Sequence, residues 1–246
     1  MAERADAVHE QRRRFLVQAL STGVLAGGAG WNLPALAALL GRIPGRMPEG
    51  KSVFELKGDV HVDGQPATRD TLLTAQSRIE TGEDSLIIVA VGDGAFIVRE
   101  RSVLEMSGKH LLIRGLQMLS GALLSVFGRR DEDQRVQVGT PVATIGIRGT
   151  GFYTEAAPDR TYFCTCYGHT RIEVAGGGES EDIVSKHHDA PRYILAQPDR
   201  GSGKRIVSAP FKNHTDLELM TLEALCGRKV PFVIPSDNYE APRRDY

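Results

Sequence analysis

The stretch LIIVAVGDGAFIVRE, residues 86 to 100, decides the fold of this chain. An apolar run from Leu86 to Val91 is followed by Gly92-Asp93-Gly94 and by a second apolar run from Ala95 to Val98. Each run is too short for a helix and contains β-branched residues, and a glycine-rich step between such runs is typical of a tight turn. The stretch therefore predicts an antiparallel hairpin, which we expect at the centre of the core.

Short segments of the same kind continue on both sides of this hairpin, from Val53 to about Val174. They alternate apolar and polar residues and are separated by glycines, and Asp63-Gly64 is a further tight-turn dipeptide. The many glycines, 27 in the chain, combine with β-branched runs rather than with helical periodicity. The sequence thus predicts a mainly β protein.

Two parts of this region contain a glycine at which we expect a turn. The composition of residues 116–127 is also compatible with a helix, but we favour two strands that turn at Ser120-Gly121. Further along, Thr161–Cys166 and Thr170–Val174 predict two strands folded over Tyr167-Gly168-His169.

The character of the sequence changes after Gly176-Gly177-Gly178. We treat residues 176–232 as a C-terminal extension with one helix, which a capping box at Thr215-Asp216-Leu217-Glu218 should start. The helix should end at Cys226, because the following glycine is a common residue after a helix C-terminus. Residues 233–246 predict a polar, extended or disordered tail.

The overall charge excludes one class of partner. The chain carries 30 Lys and Arg against 31 Asp and Glu, which gives a formal net charge of −1. Nucleic-acid binding needs a concentrated basic face, whereas the pairs Arg129-Arg130 and Arg243-Arg244 both lie beside acidic residues. We therefore expect no nucleic-acid partner.

The N-terminal residues 1–37 predict an export signal of the twin-arginine type. Its elements are two adjacent arginines, a spacer, a Phe-Leu pair and a soft, uncharged stretch up to Gly41. The residues concerned are Arg12, Arg13, Phe15 and Leu16. If this segment is cleaved, the protein is periplasmic. If the segment is not cleaved, it anchors the protein to the periplasmic face of the inner membrane and is the only part in contact with the membrane.

Residues 52–175 carry a series of motifs that resembles the FecR domain. These include Gly58-Asp59-Val60, Thr81-Gly82 and Gly92-Asp93-Gly94, and then TPVATIGIRGTGF from Thr140 to Phe152. The resemblance implies a small all-β roll, a solenoid-like fold or a barrel, here with a short C-terminal helical appendage. The family hallmark residues are Pro141, Arg148, Gly149 and Thr150, for which we expect structural roles.

The best-known protein of that family is an iron-siderophore sensor with a cytoplasmic anti-sigma segment, one membrane helix and a periplasmic sensing region. The eleven residues before Arg12 are too few for an anti-sigma segment, so we do not expect the sigma-regulating role to carry over. What the resemblance implies is an exported, non-catalytic module that binds or senses an envelope protein or a small ligand.

A set of cysteines and histidines is the alternative centre of function. Residues i and i+2 of a strand share a face, so two cysteines in a Cys-x-Cys pair should be neighbours, and histidines follow in the C-terminal extension. The candidate ligands are Cys164, Cys166, His187, His188 and His214. Sulfur and imidazole ligands suit a transition metal such as zinc or iron.

The cysteines also admit two roles without a metal. Three cysteines are too few for a disulfide-built fold, but a disulfide or redox role that uses Cys226 is possible, and so are plain core or surface thiols. We find no nucleophile elbow, phosphate-binding glycine loop or carboxylate pair in the sequence. We therefore predict no enzyme, and a periplasmic metal-binding protein as the alternative to the binding module.

Overall fold

A computed structural model of the chain describes residues 44–130 and 135–233. In these two ranges one sheet of fourteen strands and one α-helix make up the regular structure. The elements are β1 Val53–Lys57, β2 Val60–Val62, β3 Gln65–Pro66, β4 Arg78–Thr81, β5 Leu86–Val91, β6 Gly94–Val98, β7 Val103–Lys109, β8 Leu112–Phe127, β9 Val136–Gly139, β10 Ala143–Ala156, β11 Arg160–Val174, β12 Ser180–Ser185, β13 Arg192–Leu195, β14 Ile206–Ser208 and α1 Asp216–Leu225.

The predicted hairpin is present as β5 and β6, with Ile88 opposite Ile97 in an antiparallel register. Both faces of the hairpin are buried, because alternate residues enter two different hydrophobic clusters. Ile87 and Phe96 belong to the larger cluster, and Ile88 belongs to the smaller one. The apolar run without alternation is therefore explained by a strand pair that is covered on both sides.

The predicted reversal at Ser120-Gly121 is wrong, because β8 runs on for 16 residues. Its first half pairs with β7 and β9, and its second half pairs with β6 and β10. Gly121 has a φ of 83°, and a side chain there would collide with Ser102. The glycine accommodates a close approach within a continuous strand and does not turn the chain back.

The same correction applies to the segment around Gly168. The two predicted strands form one strand, β11, of 15 residues. Gly168 has a φ of 94° and lies where the pairing of β10 with β11 is irregular. A β-bulge of this kind bends a strand and increases its twist without ending it. Both errors have one origin, since a glycine that bends a strand and one that ends it look alike in sequence.

The sheet curls around the larger cluster, to which residues from most of its strands contribute. It stays open and does not close into a barrel. The prediction of a mainly β fold with a short C-terminal helix is confirmed. The barrel alternative is wrong, because the sheet is open. The long strands β8, β10 and β11 each contribute to both clusters, so they connect the two cores.

The predicted capping box is present at the start of α1, where the Thr215 hydroxyl accepts from the Glu218 amide. Leu219, Leu222 and Leu225 of this helix are buried in the smaller cluster, against the outer face of the sheet. Burial of each leucine contributes about 1.5–3 kcal/mol. The C-terminal extension is therefore packed on the β domain and shares a core with it.

Two sequence predictions concern residues beyond these ranges. The twin-arginine segment with Arg12, Arg13, Phe15 and Leu16, and the polar tail from residue 234 onward, both lie outside the described residues. Within residues 44–130 and 135–233, no helix has the length and hydropathy needed to cross a membrane.

Candidate metal centre

Cys164 and Cys166 lie on β11 with their side chains on the same face, as the i, i+2 spacing predicts. That face belongs to the smaller cluster, and both side chains are fully buried. Two thiols are thus held side by side by a strand that is paired along its length with β10. Their spacing is set by backbone geometry and needs no loop to maintain it.

His188 is brought to these thiols by a tight turn after β12. Its backbone amide donates to the Cys166 carbonyl at 2.8 Å, and its φ of 54° lies in the left-handed region. The Asp189 carboxylate accepts from the Lys186 amide at 2.7 Å and thereby closes the turn. Non-glycine residues in this region are strained by about 1–3 kcal/mol, and such strain is concentrated at functional sites.

His214 reaches the same place from the segment just before α1. The residue is fully buried, and its ring stacks on Tyr153 with centroids 4.7 Å apart. The Phe211 ring lies 4.4 Å from it on centroids. His214 Nδ1 lies 2.7 Å from the Lys212 carbonyl oxygen. The aromatic rings keep this position away from water.

The four side chains Cys164, Cys166, His188 and His214 form one quartet, in which all ligand atoms lie within 4.8 Å of one another. Cys164 Sγ is 3.6 Å from His188 Nδ1, and His188 Nδ1 is 3.1 Å from His214 Nε2. Tetrahedral zinc, with Zn–S about 2.3 Å and Zn–N about 2.0–2.1 Å, would separate sulfur from nitrogen by about 3.6 Å and two nitrogens by about 3.3 Å. The two spacings measured from His188 Nδ1 are close to these values.

The hydrogen bonds on the outer side of each ring define which nitrogen faces the quartet. A carbonyl oxygen can only accept, so His214 Nδ1 carries a proton toward Lys212, and Nε2 presents a lone pair. His188 Nε2 lies 3.0 Å from Asp216 Oδ1 and donates to it, so Nδ1 faces inward. Two acceptor nitrogens therefore face each other, and a cation is needed between them, either a proton or a metal ion.

Asp216 and the Lys212 carbonyl occupy the positions of outer-shell partners. Metal-bound histidines generally donate their second N–H to a carboxylate or a carbonyl, which orients the ring and raises its basicity. Asp216 is almost fully buried at the first turn of α1, where the helix dipole also favours a carboxylate. The arrangement therefore contains both a ligand set and the groups that orient it.

The protonation states of the metal-free quartet follow from the same contacts. Burial opposes ionisation of Cys164, but hydrogen bonds from Cys166 and from His188 hold its pKa well below the usual value. Burial also favours a neutral His188, but hydrogen bonds to Asp216 and Cys164 raise its pKa to about 9. Burial and the adjacent Cys164 sulfur raise the pKa of Cys166. Without metal, these shifts favour a Cys164 thiolate that faces a protonated His188.

His187, the fifth predicted ligand, lies outside the quartet. Its Nε2 atom is 3.0 Å from both oxygens of Asp216, and its ring packs against Phe232 with centroids 4.4 Å apart. The side chain is 28% exposed, compared with 5% for His188. His187, His188 and Asp216 form a second group that could hold a metal ion. In that group the Asp216 carboxylate accepts a hydrogen bond from each ring, so two nitrogen lone pairs do not face each other. Of the two adjacent histidines, the structure assigns His188 to the quartet.

Cys226 lies at the C-terminal end of α1 and is not part of the quartet. All three cysteines are free thiols, so the described residues contain no disulfide that involves Cys226. Burial raises the pKa of the Cys226 thiol to about 11. This thiol is therefore protonated at neutral pH and is a poor nucleophile.

Three of the four hallmark residues, Arg148, Gly149 and Thr150, lie at the bulge between β10 and β11. Gly149 has a φ of 61°, and a Cβ atom there would lie 2.7 Å from the Arg129 Cα atom. The buried Thr150 hydroxyl donates to the His169 carbonyl at 3.0 Å. Pro141 is exposed at the turn that precedes β10. Arg148 is also exposed, and its guanidinium has no hydrogen-bond partner in residues 44–130 and 135–233.

Asp216 is the residue of the site that sequence reasoning missed. The capping box placed it in the first turn of the helix, two residues after His214, but its role as a shared acceptor for His187 and His188 depends on how α1 docks. The buried ion pair of Arg99 with Glu218, 2.9 Å long, was also missed. It fixes the first turn of α1 against the end of β6 and so holds the region from which His214 projects.

No family model and no curated protein matches the chain. Two crystal structures of a candidate anti-sigma factor from Parabacteroides distasonis are similar to it, each with 15% identity and a TM-score of 0.43. Each match covers 54% of this chain and 58% of that protein, so the chain spans little more than half of its length. A TM-score of this size does not establish a common fold, and the resemblance to the FecR domain stays a prediction from the sequence motifs.

Proposed function

We propose that this protein is a metal-binding β module that holds one Zn²⁺ ion through Cys164, Cys166, His188 and His214. The observation that carries the proposal is the pair of inward-facing ring nitrogens, His188 Nδ1 and His214 Nε2, 3.1 Å apart and beside two buried thiols. Their outer nitrogens are already committed as donors. Such a position needs a cation, and its ligand set is the one that Zn²⁺ prefers.

The quartet has the features of a structural centre and not of a catalytic one. Four protein ligands fill a tetrahedral coordination shell, whereas catalytic zinc sites keep one position open for water or substrate. Cys164, Cys166 and His214 are fully buried, and aromatic rings surround the histidines. This supports a non-catalytic role, in which the ion stabilises a conformation that another molecule recognises.

The ion would join three parts of the chain that are far apart in sequence. The thiols come from β11, His188 comes from the turn after β12, and His214 precedes α1. Metal binding would therefore fasten the C-terminal extension to the sheet. Because binding of a metal that selects the folded state adds directly to stability, docking of α1 becomes metal-dependent, which makes the module responsive to metal supply.

Iron and copper(I) are the other ions that sulfur and imidazole ligands accept. The choice of zinc rests on the mixed S₂N₂ set and the tetrahedral spacings. For the cellular context we propose an exported, periplasmic FecR-type module with an envelope protein or small ligand as partner. The motif series from Gly58 to Phe152 and the twin arginines support this. Twin-arginine export fits a metal site, because that route carries proteins that have already folded and taken up their cofactor.

The test is elemental analysis of untagged protein recovered from the periplasm. We expect about one equivalent of zinc in the natural protein and little in Cys164→Ser or His214→Ala. Cys226→Ser is the matched control, because it removes a thiol that lies outside the quartet, and it should retain the metal. Absence of zinc from the natural protein even after incubation with Zn²⁺, or equal zinc in Cys164→Ser, would overturn the proposal.

A further inference from the structure

A groove of about 1000 Å³ lies beside the metal centre. Its walls come from the end of β8, the bulge of β10 and β11, the turn after β12 and the segment that follows α1. No residue of the zinc quartet lines it. The groove is therefore separate from the quartet, although one of its walls is the segment after α1, whose docking the metal would stabilise.

Five Lys and Arg side chains line this groove. Arg228 is paired with Glu223, and the other four are Arg129, Arg148, Lys186 and Lys229. All four are exposed, and none has a side-chain hydrogen bond or ion pair within the part of the chain that the structure describes. Most arginines elsewhere are paired with a carboxylate, as Arg78, Arg101, Arg171 and Arg192 are. The four groove cations are thus available for an anionic ligand.

Acidic side chains are nearly absent from the groove. Among the described residues that line it, Glu223 is the one carboxylate. It is buried and already accepts from the Tyr167 hydroxyl and from Arg228. Among the described residues, the groove consequently presents positive charge that no carboxylate of its lining neutralises, and a bound anion would be attracted.

Apolar groups lie between these cations. Val184 is 76% exposed and Val233 is 88% exposed, both unusual for valine. Phe232 lies beside them and packs on His187 and Tyr167. A purely ionic ligand would leave these apolar groups in water, so the shape and chemistry favour a ligand that has apolar side chains as well as negative charge.

The backbone of one wall favours an extended ligand. Arg148, His169 and Val184 form a row across β10, β11 and β12, because they are direct partners in the strand register. Strand β12 pairs with β11 and with no other strand of the described sheet. Exposed strand edges bind extended peptides by adding a strand, while alternate side chains provide specificity.

We propose that this groove binds an extended acidic segment of a partner protein, with apolar residues alternating with Asp or Glu. Its carboxylates would pair with Arg129, Arg148, Lys186 and Lys229, and its apolar residues would cover Val184 and Phe232. The role of Arg148 in this family motif is then ligand recognition at the surface, held in place by the bulge at Gly149 and Thr150.

The test is fluorescence anisotropy of the full chain with a fluorescein-labelled peptide in which Val and Glu alternate. We expect saturable binding that weakens about tenfold or more in the Arg148→Glu/Lys186→Glu variant, because like charges then face the ligand. The matched control is Arg200→Glu/Lys204→Glu, which makes the same charge change in the exposed turn between β13 and β14 and should leave binding unchanged.

Four results would overturn the proposal. One is binding of a Val-Lys peptide as tight as binding of the Val-Glu peptide, since the charge of the ligand would then not matter. Another is a loss of binding in the control variant as large as in the Arg148→Glu/Lys186→Glu variant, since the net charge of the protein alone would then explain the signal. The third is binding of the Val-Glu peptide only after residues 234–246 are removed, which would make the chain's own tail the occupant. The fourth is tighter binding of a single-stranded oligonucleotide or of anionic vesicles than of the peptide, which would contradict a protein partner.

Discussion

The Nδ1 atom of His188 lies 3.1 Å from the Nε2 atom of His214, although 26 positions separate the two residues in sequence. Each ring donates its other N–H outward, to Asp216 and to the Lys212 carbonyl. When both rings are neutral, the inward nitrogens are both acceptors, and they lie against two buried thiols. In the metal-free protein a proton on His188 fills this position, and a metal ion would replace it. This one relationship makes the difference between a cluster of core residues and a site that requires a cation, and most predictions below depend on it.

Loss of either thiol should have the same consequence. Cys164→Ser and Cys166→Ser remove one ligand each from the same ion, so both should abolish stoichiometric zinc binding. Zinc at a hundred to a thousand times its dissociation constant contributes about 3–4 kcal/mol to stability. Each variant should therefore lose roughly 6–16 °C in Tm, measured by calorimetry with and without chelator. One silent variant beside one damaged variant would contradict a shared ion.

Asp216 should act as a positioning residue for His188. Asp216→Asn keeps the size of the side chain but weakens the acceptor that orients the ring, and outer-shell changes of this kind cost about 10–100-fold in metal affinity. The measurement is a competition titration with a chromophoric chelator. Asp199→Asn is the control, because Asp199 organises a distant turn between β13 and β14. Equal affinity in both variants would remove Asp216 from the site.

Zinc binding should release protons. In the metal-free protein at pH 8, His188 is protonated because its pKa is raised to about 9, and Cys166 is protonated because its pKa is raised as well. Both must lose their protons to bind metal, whereas Cys164 is already a thiolate. We expect release of about two protons per ion.

The sign of the pH dependence follows from these states. Apparent zinc affinity should rise as the pH increases toward 9, because fewer protons then have to be displaced. Calorimetric titrations in buffers with different ionisation enthalpies measure the number of protons. Affinity that does not change between pH 6 and pH 8.5 would contradict the assigned protonation states.

The bulge at Gly149 should be sensitive to the addition of a single methyl group. Gly149→Ala places a Cβ atom 2.7 Å from the Arg129 Cα atom at a φ of 61°. We expect a loss of about 2–4 kcal/mol in the free energy of unfolding, from backbone strain and the steric clash together. Urea denaturation measures it. Gly177→Ala, with a φ of 80° and open space around it, should lose only about 1–2 kcal/mol.

Export should depend on the twin arginines. Replacement of both Arg12 and Arg13 by lysine keeps the positive charge but removes the motif, and the protein should then stay in the cytoplasm. Fractionation followed by immunoblotting gives the answer, and Arg4→Lys, which lies outside the motif, is the control. Normal periplasmic accumulation of the Arg12→Lys/Arg13→Lys variant would contradict a twin-arginine signal.

Much of the fold is predictable because it rests on local chemistry. The hairpin at residues 86–98 follows from two apolar runs around a turn, and α1 follows from the Thr215–Glu218 capping box. Gly121 and Gly168 resemble turns in the sequence, because a positive φ is compatible with both a reversal and a bulge. Only the neighbouring strands decide between the two, and those neighbours are distant in sequence.

The amino-acid sequence by itself determined the β5–β6 hairpin, the helix and the inventory of candidate ligands, including the shared face of Cys164 and Cys166, because backbone periodicity fixes which side chains are near each other within one element. Tertiary structure alone decided that His188 and not His187 joins them, that Asp216 orients it, and that Arg148 faces a groove. These outcomes depend on how the turn after β12 and the start of α1 dock on β11, and docking is the sum of many weak contacts between residues far apart in the chain.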